Sequence, residues 1–394
     1  MKIPLISAFL EDDVYEKRLT DRFMEDVICN EDHFYHRIAK SLTQKKFQPI
    51  VYYMSQEKTR KEFLHKYGHT VIRIPAKRIN FIHEPIVYSS ELINEIKNSY
   101  DVCNIVSGYY VMYKIPDMFD YTVFKLYKKM PIIGRWAGGN HKWLLPIRKS
   151  IKRSALQKCE KILVSSFEEI KILQEEFSIK PENISHIVNP IDLTTFQKRE
   201  KKNSAEKISI NPDYRYLLYV GRLSKLKGIE LLLESFNEIK NEFEDLKLLI
   251  IGDGPLLDFI KKFIKNHTLE DRIILKGRLE HEKISYFYNI SSISISNLGS
   301  SGGLPNTVIE SLATNTPTIT TDVGASREYI NEENNNGILI KSNSKDELKK
   351  AIRRILENEN KFRNQNTDIL KNFSYEEFGN KLSAIYSEVL KNKF

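Results

Sequence analysis

Three cysteines in 394 residues, Cys29, Cys103 and Cys159, lie far apart, with no CxxC pair and no metal-ligand spacing. That excludes a disulfide scaffold and a cysteine-based metal centre, and predicts buried, reduced thiols in a reducing compartment. Long hydrophobic runs are missing too. No segment approaches the roughly 20 apolar residues of a membrane span. The N-terminal apolar run 3–10 is too short for a signal peptide and ends in Glu11-Asp12-Asp13. A soluble or peripheral cytoplasmic protein is expected. Gly-x-Ser-x-Gly elbows, clustered metal ligands and a spaced acid pair are also lacking, which sets aside the common hydrolase chemistries.

What is present is an ordinary globular composition, 41% hydrophobic and 29% charged, in a chain long enough for two domains with a core each. The net charge of +9 is uneven. Residues 1–202 hold 34 basic and 25 acidic side chains, whereas 203–394 hold 27 of each. Within 33–153 there are 22 basic residues against 8 acidic ones, an excess that favours an anionic partner.

Apolar runs alternate with helical-period segments throughout, the pattern of parallel α/β sheets. In the first half, 3–9, 49–54, 69–74, 102–107, 131–136, 161–165 and 184–189 read as strands, and 36–44, 89–98, 145–159 and 167–177 as helices. Residues 197–213, rich in Lys, Asn and Ser, read as a linker. In the second half, strands are expected at 216–220, 247–251, 273–276, 292–296 and 316–321. Helices are expected at 228–241, 256–266, 281–289, 306–314 and 345–358. A last helix, 375–390, is expected to fold back on the first domain. The count predicts two doubly wound Rossmann-like domains, 1–205 (with 375–394) and 206–374, facing a central cleft where ligands meet the carboxyl ends of strands.

Two segments carry the chemistry. Gly221-Arg222-Leu223-Ser224-Lys225-Leu226-Lys227-Gly228 follows the apolar strand 216–220 and places an arginine and a lysine five positions apart. Eighty residues downstream, Ser301-Gly302-Gly303-Leu304-Pro305-Asn306-Thr307-Val308-Ile309-Glu310 reads as a Gly-rich turn running into a helix. That geometry presents backbone N–H groups and a positive dipole end to a phosphate. Together with Asn189-Pro190-Ile191-Asp192, Gly252-Asp253-Gly254-Pro255 and Asp322-Val323-Gly324, in this order and spacing, the segments resemble the family-4 glycosyltransferases of GT-B fold. The resemblance is strongest over 150–330, and the first 140 residues show only the generic alternation.

The resemblance implies a retaining enzyme that uses a nucleotide-diphosphate sugar and needs no metal or other cofactor. Arg222 and Lys227 would grip the diphosphate, the alternative being surface ion pairs beside Glu230. Glu310 would accept both ribose hydroxyls, the alternative being a glutamate favoured by the helix dipole. The backbone N–H groups of Asn306 and Thr307 would meet the phosphate, with Gly221, Gly303, Leu304 and Val308 also lining the donor. Arg278, after Gly277, stands where the family contacts the base, and is equally readable as an exposed arginine. Three departures stand out. The first of the family's two glutamates, eight positions before Glu310, is Gly302 here, and no acidic residue lies between Glu282 and Glu310. Pro305 has no N–H to offer. The Gly-rich loop after the first strand is replaced by Glu11-Asp12-Asp13-Val14-Tyr15.

The first domain would hold the acceptor, a glycan or lipid-linked glycan. Where relatives often have a histidine, Gly108-Tyr109-Tyr110 stands, and Gly138-Gly139-Asn140-His141 is the nearest substitute. Tyr109, Gly139, Asn140 and His141 are therefore candidate acceptor or sugar contacts, with a surface histidine in a polar turn as the alternative. His83-Glu84-Pro85 reads as a loop without chemistry. The segment 109–153 interleaves aromatics with cations and ends in Arg148-Lys149-Ser150-Ile151-Lys152-Arg153, which suits an anionic bilayer at the inner face of the cell membrane. A solvated face over core aromatics is the alternative, and no nucleic-acid motif is present. Two other functions remain open: a nucleotide-sugar epimerase of the same fold, and an inactive nucleotide- or carbohydrate-binding relative.

Overall fold

The computed structural model describes residues 1–10, 12, 18–81, 84–107, 117–136, 146–299, 304–363 and 368–391. The chain divides into two compact units, Met1–Pro190 with Tyr375–Phe394, and Ile191–Ser374. The division falls at Pro190, whereas the sequence pattern placed it after residue 205.

The first unit runs β1 (Lys2–Leu10), α1 (Asp21–Asp26), α2 (Phe34–Gln44), β2 (Gln48–Ser55), β3 (Lys61–Leu64), β4 (Thr70–Pro75), β5 (Lys77–Phe81) and β6 (Glu84–Tyr88). It continues with α3 (Ser90–Ser99), β7 (Cys103–Ser107), α4 (Met118–Leu126), β8 (Ile132–Arg135), α5 (Pro146–Leu156), β9 (Lys161–Val164), α6 (Phe167–Phe177) and β10 (Ile184–His186). Local chemistry sets several helix starts. Ser89 Oγ accepts from Leu92 N, and Asp117–Asp120 and Ser166–Glu169 form reciprocal capping boxes at α4 and α6.

Among the described residues the sheet has eight strands in the order β10-β9-β8-β7-β1-β2-β4-β3, parallel except for the edge pair β3–β4. Its central strands are nearly continuous apolar runs because helices cover both faces. Cys29, Cys103 and Cys159 are buried and unpaired, as expected, and burial raises all three thiol pKa values, which makes them poor nucleophiles.

The second unit runs α7 (Lys201–Ile208), β11 (Arg215–Val220), α8 (Ile229–Ile239), β12 (Leu246–Ile251), α9 (Leu257–Asn266), β13 (Ile273–Gly277), α10 (His281–Ile290), β14 (Ile293–Ile295), α11 (Asn306–Ala313), β15 (Thr318–Thr321), α12 (Ser326–Tyr329), β16 (Gly337–Ile340), α13 (Lys345–Glu357) and α14 (Glu359–Phe362). Its parallel sheet has the order β13-β12-β11-β14-β15-β16. In chain order within the unit that is 3-2-1-4-5-6, with the switch between β11 and β14. The final helix, α15 (Tyr375–Lys391), belongs to the first unit. Its Tyr386 hydroxyl accepts from Asn104 Nδ2 at 2.6 Å. Gly379 lets it lie close to α2, since a Cβ there would come within 2.9 Å of the Ser41 carbonyl.

Two expectations are corrected. The stretch 197–213 is not a linker: it contains α7, whose Ser204 and Ala205 are buried, and which packs on α10. Arg199 fastens its approach through N–H to Asn289 Oδ1 at 2.6 Å and Nη1 to Ser285 Oγ at 3.2 Å. Lys, Glu and Ala are good helix formers, and a buried face settles the choice. Glu84-Pro85 is not loop but the start of β6, paired antiparallel with β5, while His83 lies outside the described residues.

Candidate functional site

The site assembles at the carboxyl ends of β11, β12 and β14, where the strand order switches. Beyond β11 the chain is held by its neighbours. Gly221 N–H donates to Ile251 O at 3.0 Å, and Leu223 N–H to Asp253 O at 2.9 Å. Tyr219 OH donates to Arg222 O at 3.0 Å. The Gly252-Asp253-Gly254-Pro255 turn therefore packs directly against the Gly221–Leu223 backbone. Residues Lys225–Lys227 make one 3-10 turn, and Gly228 (φ 71°) starts α8.

The segment leading to α11 packs on this loop. Leu298 N–H donates to Lys227 O at 3.3 Å, and Thr321 Oγ1 donates to the carbonyls of Asn297 and Gly299, each at 2.8 Å. Gly299 is required here, because a Cβ would sit 1.9 Å from Leu226 O. The loop that carries Arg222 and Lys227 is thereby fixed beside the approach to α11. Arg222 is exposed and Lys227 half-buried, and burial lowers the Lys227 pKa.

Pro305 is the N-cap of α11 and makes no side-chain cap hydrogen bond. Its missing N–H therefore falls before the first turn. Asn306 and Thr307 are the first two helical residues, partly exposed, while Leu304 and Val308 are buried. Val308 N–H turns back to Pro305 O at 3.0 Å. Glu310, one turn in, is only 3% exposed. Its Oε1 lies 2.8 Å from His281 Nε2, and its Oε2 accepts from Tyr288 OH at 2.9 Å. The His281 ring packs on Phe196 with centroids 4.6 Å apart. Burial, with Glu310 beside it, pushes the Tyr288 phenol well up. Arg278 is exposed on the β13–α10 connection, three residues before His281.

Structure thus brings Gly221, Arg222, Lys227, Leu304, Asn306, Thr307, Val308 and Glu310 to one end of one sheet. Gly302 and Gly303 lie outside the described residues, as do Tyr109, Gly139, Asn140 and His141. His281 and Tyr288 were missed from sequence. Their signal is a spacing of seven, two helical turns, which puts both on one face of α10.

The basic stripe at the end of 109–153 is corrected. Arg148 and Lys152, 1% and 0% exposed, lie within 3.0 Å of the Asp117 and Asp120 carboxylates. Lys149 pairs with Glu176 Oε2 at 2.8 Å, and Arg153 Nη2 donates to the Glu176 carbonyl at 2.8 Å. These cations hold α5 to its neighbours, and Arg148 and Lys152 cannot reach a bilayer.

Among the described residues, one group of three side chains has metal-ligand proximity: the buried His36, His65 and His69. Their rings are stacked, with interplanar angles of 18° to 27°. Five of their six ring nitrogens serve one another and their neighbours, and the buried His69 Nδ1 has no hydrogen-bond partner. His36 Nδ1 meets His69 Nε2 at 2.9 Å, His36 Nε2 meets Tyr53 OH at 3.0 Å, and His65 Nδ1 accepts from Tyr67 N–H at 3.1 Å. As folded, the hydrogen bond between His36 Nδ1 and His69 Nε2 occupies one nitrogen of each of those rings.

The sheet order of the second unit, with its glycine-tight loops at the switch point, is that of a doubly wound Rossmann-like domain. Residues 200–371 match the family model described as glycosyl transferases group 1. It is 27% identical over 202 residues to the N-acetylgalactosamine-N,N'-diacetylbacillosaminyl-diphospho-undecaprenol 4-alpha-N-acetylgalactosaminyltransferase of Campylobacter jejuni, covering 51% of this chain and 52% of that one. It is 28% identical over 177 residues to the alpha-monoglucosyldiacylglycerol synthase of Streptococcus pneumoniae, covering 43% and 39%. The chain thus matches about half the length, or less, of these relatives. Sucrose-phosphate synthase of Thermosynechococcus elongatus shares the fold with a TM-score of 0.75 at 16% identity, covering 99% of this chain and all of that one. Anabaena HepE, solved with UDP and glucose, does so at 0.69 and 13%, covering 98% and 99%.

Proposed function

We propose that the protein is a retaining glycosyltransferase that moves a sugar from a nucleotide-diphosphate sugar to a glycan or lipid-linked glycan. One observation carries this reading: the Arg222–Lys227 loop is packed beside the approach to α11 at the switch point. Two cations and a helix N-terminus make a cradle for a diphosphate. The relatives' names support the rest, since one has a diphospho-undecaprenol acceptor and another a diacylglycerol.

In this reading Arg222, Lys227 and the N–H groups of Asn306 and Thr307 meet the negative charge that grows on the leaving diphosphate. Glu310, an acceptor-only carboxylate, takes ribose hydroxyls. The acceptor hydroxyl attacks the anomeric carbon from the face the diphosphate leaves, and its proton passes to a departing phosphate oxygen. The two cations supply the charge a divalent metal would otherwise bring. The acceptor is assigned to the first unit, around Tyr109 and Gly139-Asn140-His141, with the enzyme working at the inner face of the cell membrane. The bilayer-facing surface is reassigned to Phe124, Lys125, Lys128 and Lys129. The first of these is 37% exposed, and Lys158 lies 5.7 Å from its ring centroid.

Incubating the protein with candidate nucleotide sugars, with and without lipid extract, tests this. Nucleotide release that requires acceptor supports transfer. Acceptor-independent release indicates an epimerase, and binding without turnover indicates an inactive relative.

A further inference from the structure

His36, His65 and His69 meet inside the first unit, with 0%, 1% and 3% exposure. Helix α2 supplies His36. The other two flank the turn between β3 and β4, where Gly68 (φ 82°) donates N–H to His65 O at 2.8 Å and His65 N–H donates to His69 O at 3.0 Å. One ligand nitrogen from each ring lies within 4.8 Å of the other two. The hydrogen bonds show which nitrogens are ready for an ion. Tyr67 N–H points into His65 Nδ1, so the His65 proton sits on Nε2 and goes to the Glu31 carbonyl at 3.0 Å. His36 Nε2 can donate to the Tyr53 hydroxyl at 3.0 Å, which leaves a lone pair on Nδ1, 2.9 Å from His69 Nε2. The buried His69 Nδ1 has no hydrogen-bond partner, so no bond there ties that ring to one tautomer. A metal-ligating histidine characteristically donates its far N–H to a carbonyl or a similar acceptor, and His65 and His36 have such partners in place. Bonds of about 2.1 Å set tetrahedral ligands about 3.4 Å apart, so the His36–His69 pair must part by about 0.5 Å.

The group holds three imidazoles and no carboxylate, a set that suits Zn²⁺ and its transition-metal neighbours rather than Ca²⁺ or Mg²⁺, which take oxygen ligands. A cavity of about 570 Å³, lined by Cys29, Phe63, His65, Lys66 and Gly68 among others, gives an ion a way in. The hairpin also has need of a fastener. Strand β3 is four residues long at the edge of the sheet, and only its Phe63 is buried. We propose that His36, His65 and His69 bind one transition-metal ion of the zinc class, which pins the β3–β4 hairpin to α2. The ion takes the place of the His36–His69 hydrogen bond and of the Tyr67 N–H at His65 Nδ1. The site belongs to the first unit and does not rest on the transfer reading.

The test strips the full chain with a chelator, removes the chelator, and titrates with Zn²⁺ and with Co²⁺. Wild type should take up one equivalent of Zn²⁺ with a Kd of about 1 µM or tighter. Its melting temperature should rise with Zn²⁺ concentration, and Co²⁺ should give the intense visible absorption of a tetrahedral site. His36→Gln, His65→Gln and His69→Gln should each weaken Zn²⁺ binding by about 100-fold or more, and Tyr53→Phe, which removes the partner behind a ligand, by about tenfold. His267→Gln, at an exposed histidine, should bind as wild type does. Circular dichroism and melting curves without metal check that the variants fold. X-ray absorption on Zn²⁺-loaded wild type needs no variant, and should count three imidazole ligands. No Zn²⁺ uptake below about 100 µM would overturn the proposal. So would fewer than three imidazoles around the ion, or undiminished binding in all three histidine variants, which would place the ion elsewhere on the chain.

Discussion

Lys152 Nζ donates to Asp117 Oδ2 across 2.7 Å, between two side chains of 0% and 9% exposure. Arg148 and Asp120 complete a buried quartet with two charges of each sign. Removing one partner from such a set leaves a carboxylate uncompensated away from water. Lys152→Ala should therefore cost about 3–5 kcal/mol, read as a lower urea midpoint with an unchanged slope. A loss under about 1 kcal/mol would show that water reaches the quartet.

Membrane docking, if it uses the first unit, belongs to the exposed cations instead. Lys125→Gln, Lys128→Gln and Lys129→Gln combined should abolish pelleting with anionic liposomes at low salt. The melting temperature should barely move, because exposed charges contribute little to stability. Salt near physiological strength should weaken wild-type pelleting, since screening shortens the reach to about 8 Å. Equal recovery of wild type with neutral and anionic vesicles would remove the membrane from the proposal.

Arg222→Ala and Lys227→Ala should each lower kcat by roughly 10²–10³-fold, by analogy with loss of one oxyanion donor. Near-wild-type turnover in both variants would sink the diphosphate assignment. Lys227 adds a pH dependence. Burial lowers its pKa, so on raising the pH it loses its charge before an ordinary lysine would. Donor binding should fall along an alkaline limb, and Lys227→Arg should carry that limb to higher pH.

The histidine stack predicts acid lability. Burial, the largest cause, lowers His65 to about 4 and His69 to about 3, and holds His36 well below its ordinary value. The unfolded chain titrates these groups near 6.5. Since the folded pKa values are depressed, the unfolded state binds more protons on acidification. The neutral stack's contribution is whole above about pH 6.5 and is lost as pH falls towards 3–4, at about 1.4 kcal/mol per unit per group. Melting temperatures between pH 7 and 4.5 should drop steeply, and His69→Gln should flatten the slope. A flat wild-type profile would mean the cluster accepts protons without cost.

Most of the fold was legible in sequence because alternation of apolar runs with helical periods is local. The order Gly221–Gly228, Gly252–Pro255 and Asn306–Glu310 likewise pointed to one end of one sheet. Where burial on a distant partner decides, local reading failed. Residues 201–208 are polar enough for a linker until α10 supplies a surface for Ser204 and Ala205. On α5, Arg148 and Lys152 share a helical stripe with the buried Ala155 and Leu156, a spacing that signalled burial, but their charge argued for solvent. Only Asp117 and Asp120, about 30 residues earlier, settle the question. The sequence alone determined which residue types could grip a diphosphate and in what order they come. That His281 and Tyr288 would hold Glu310 was decided by tertiary structure, because hydrogen bonds depend on separation in space, and 29 and 22 residues of chain specify none.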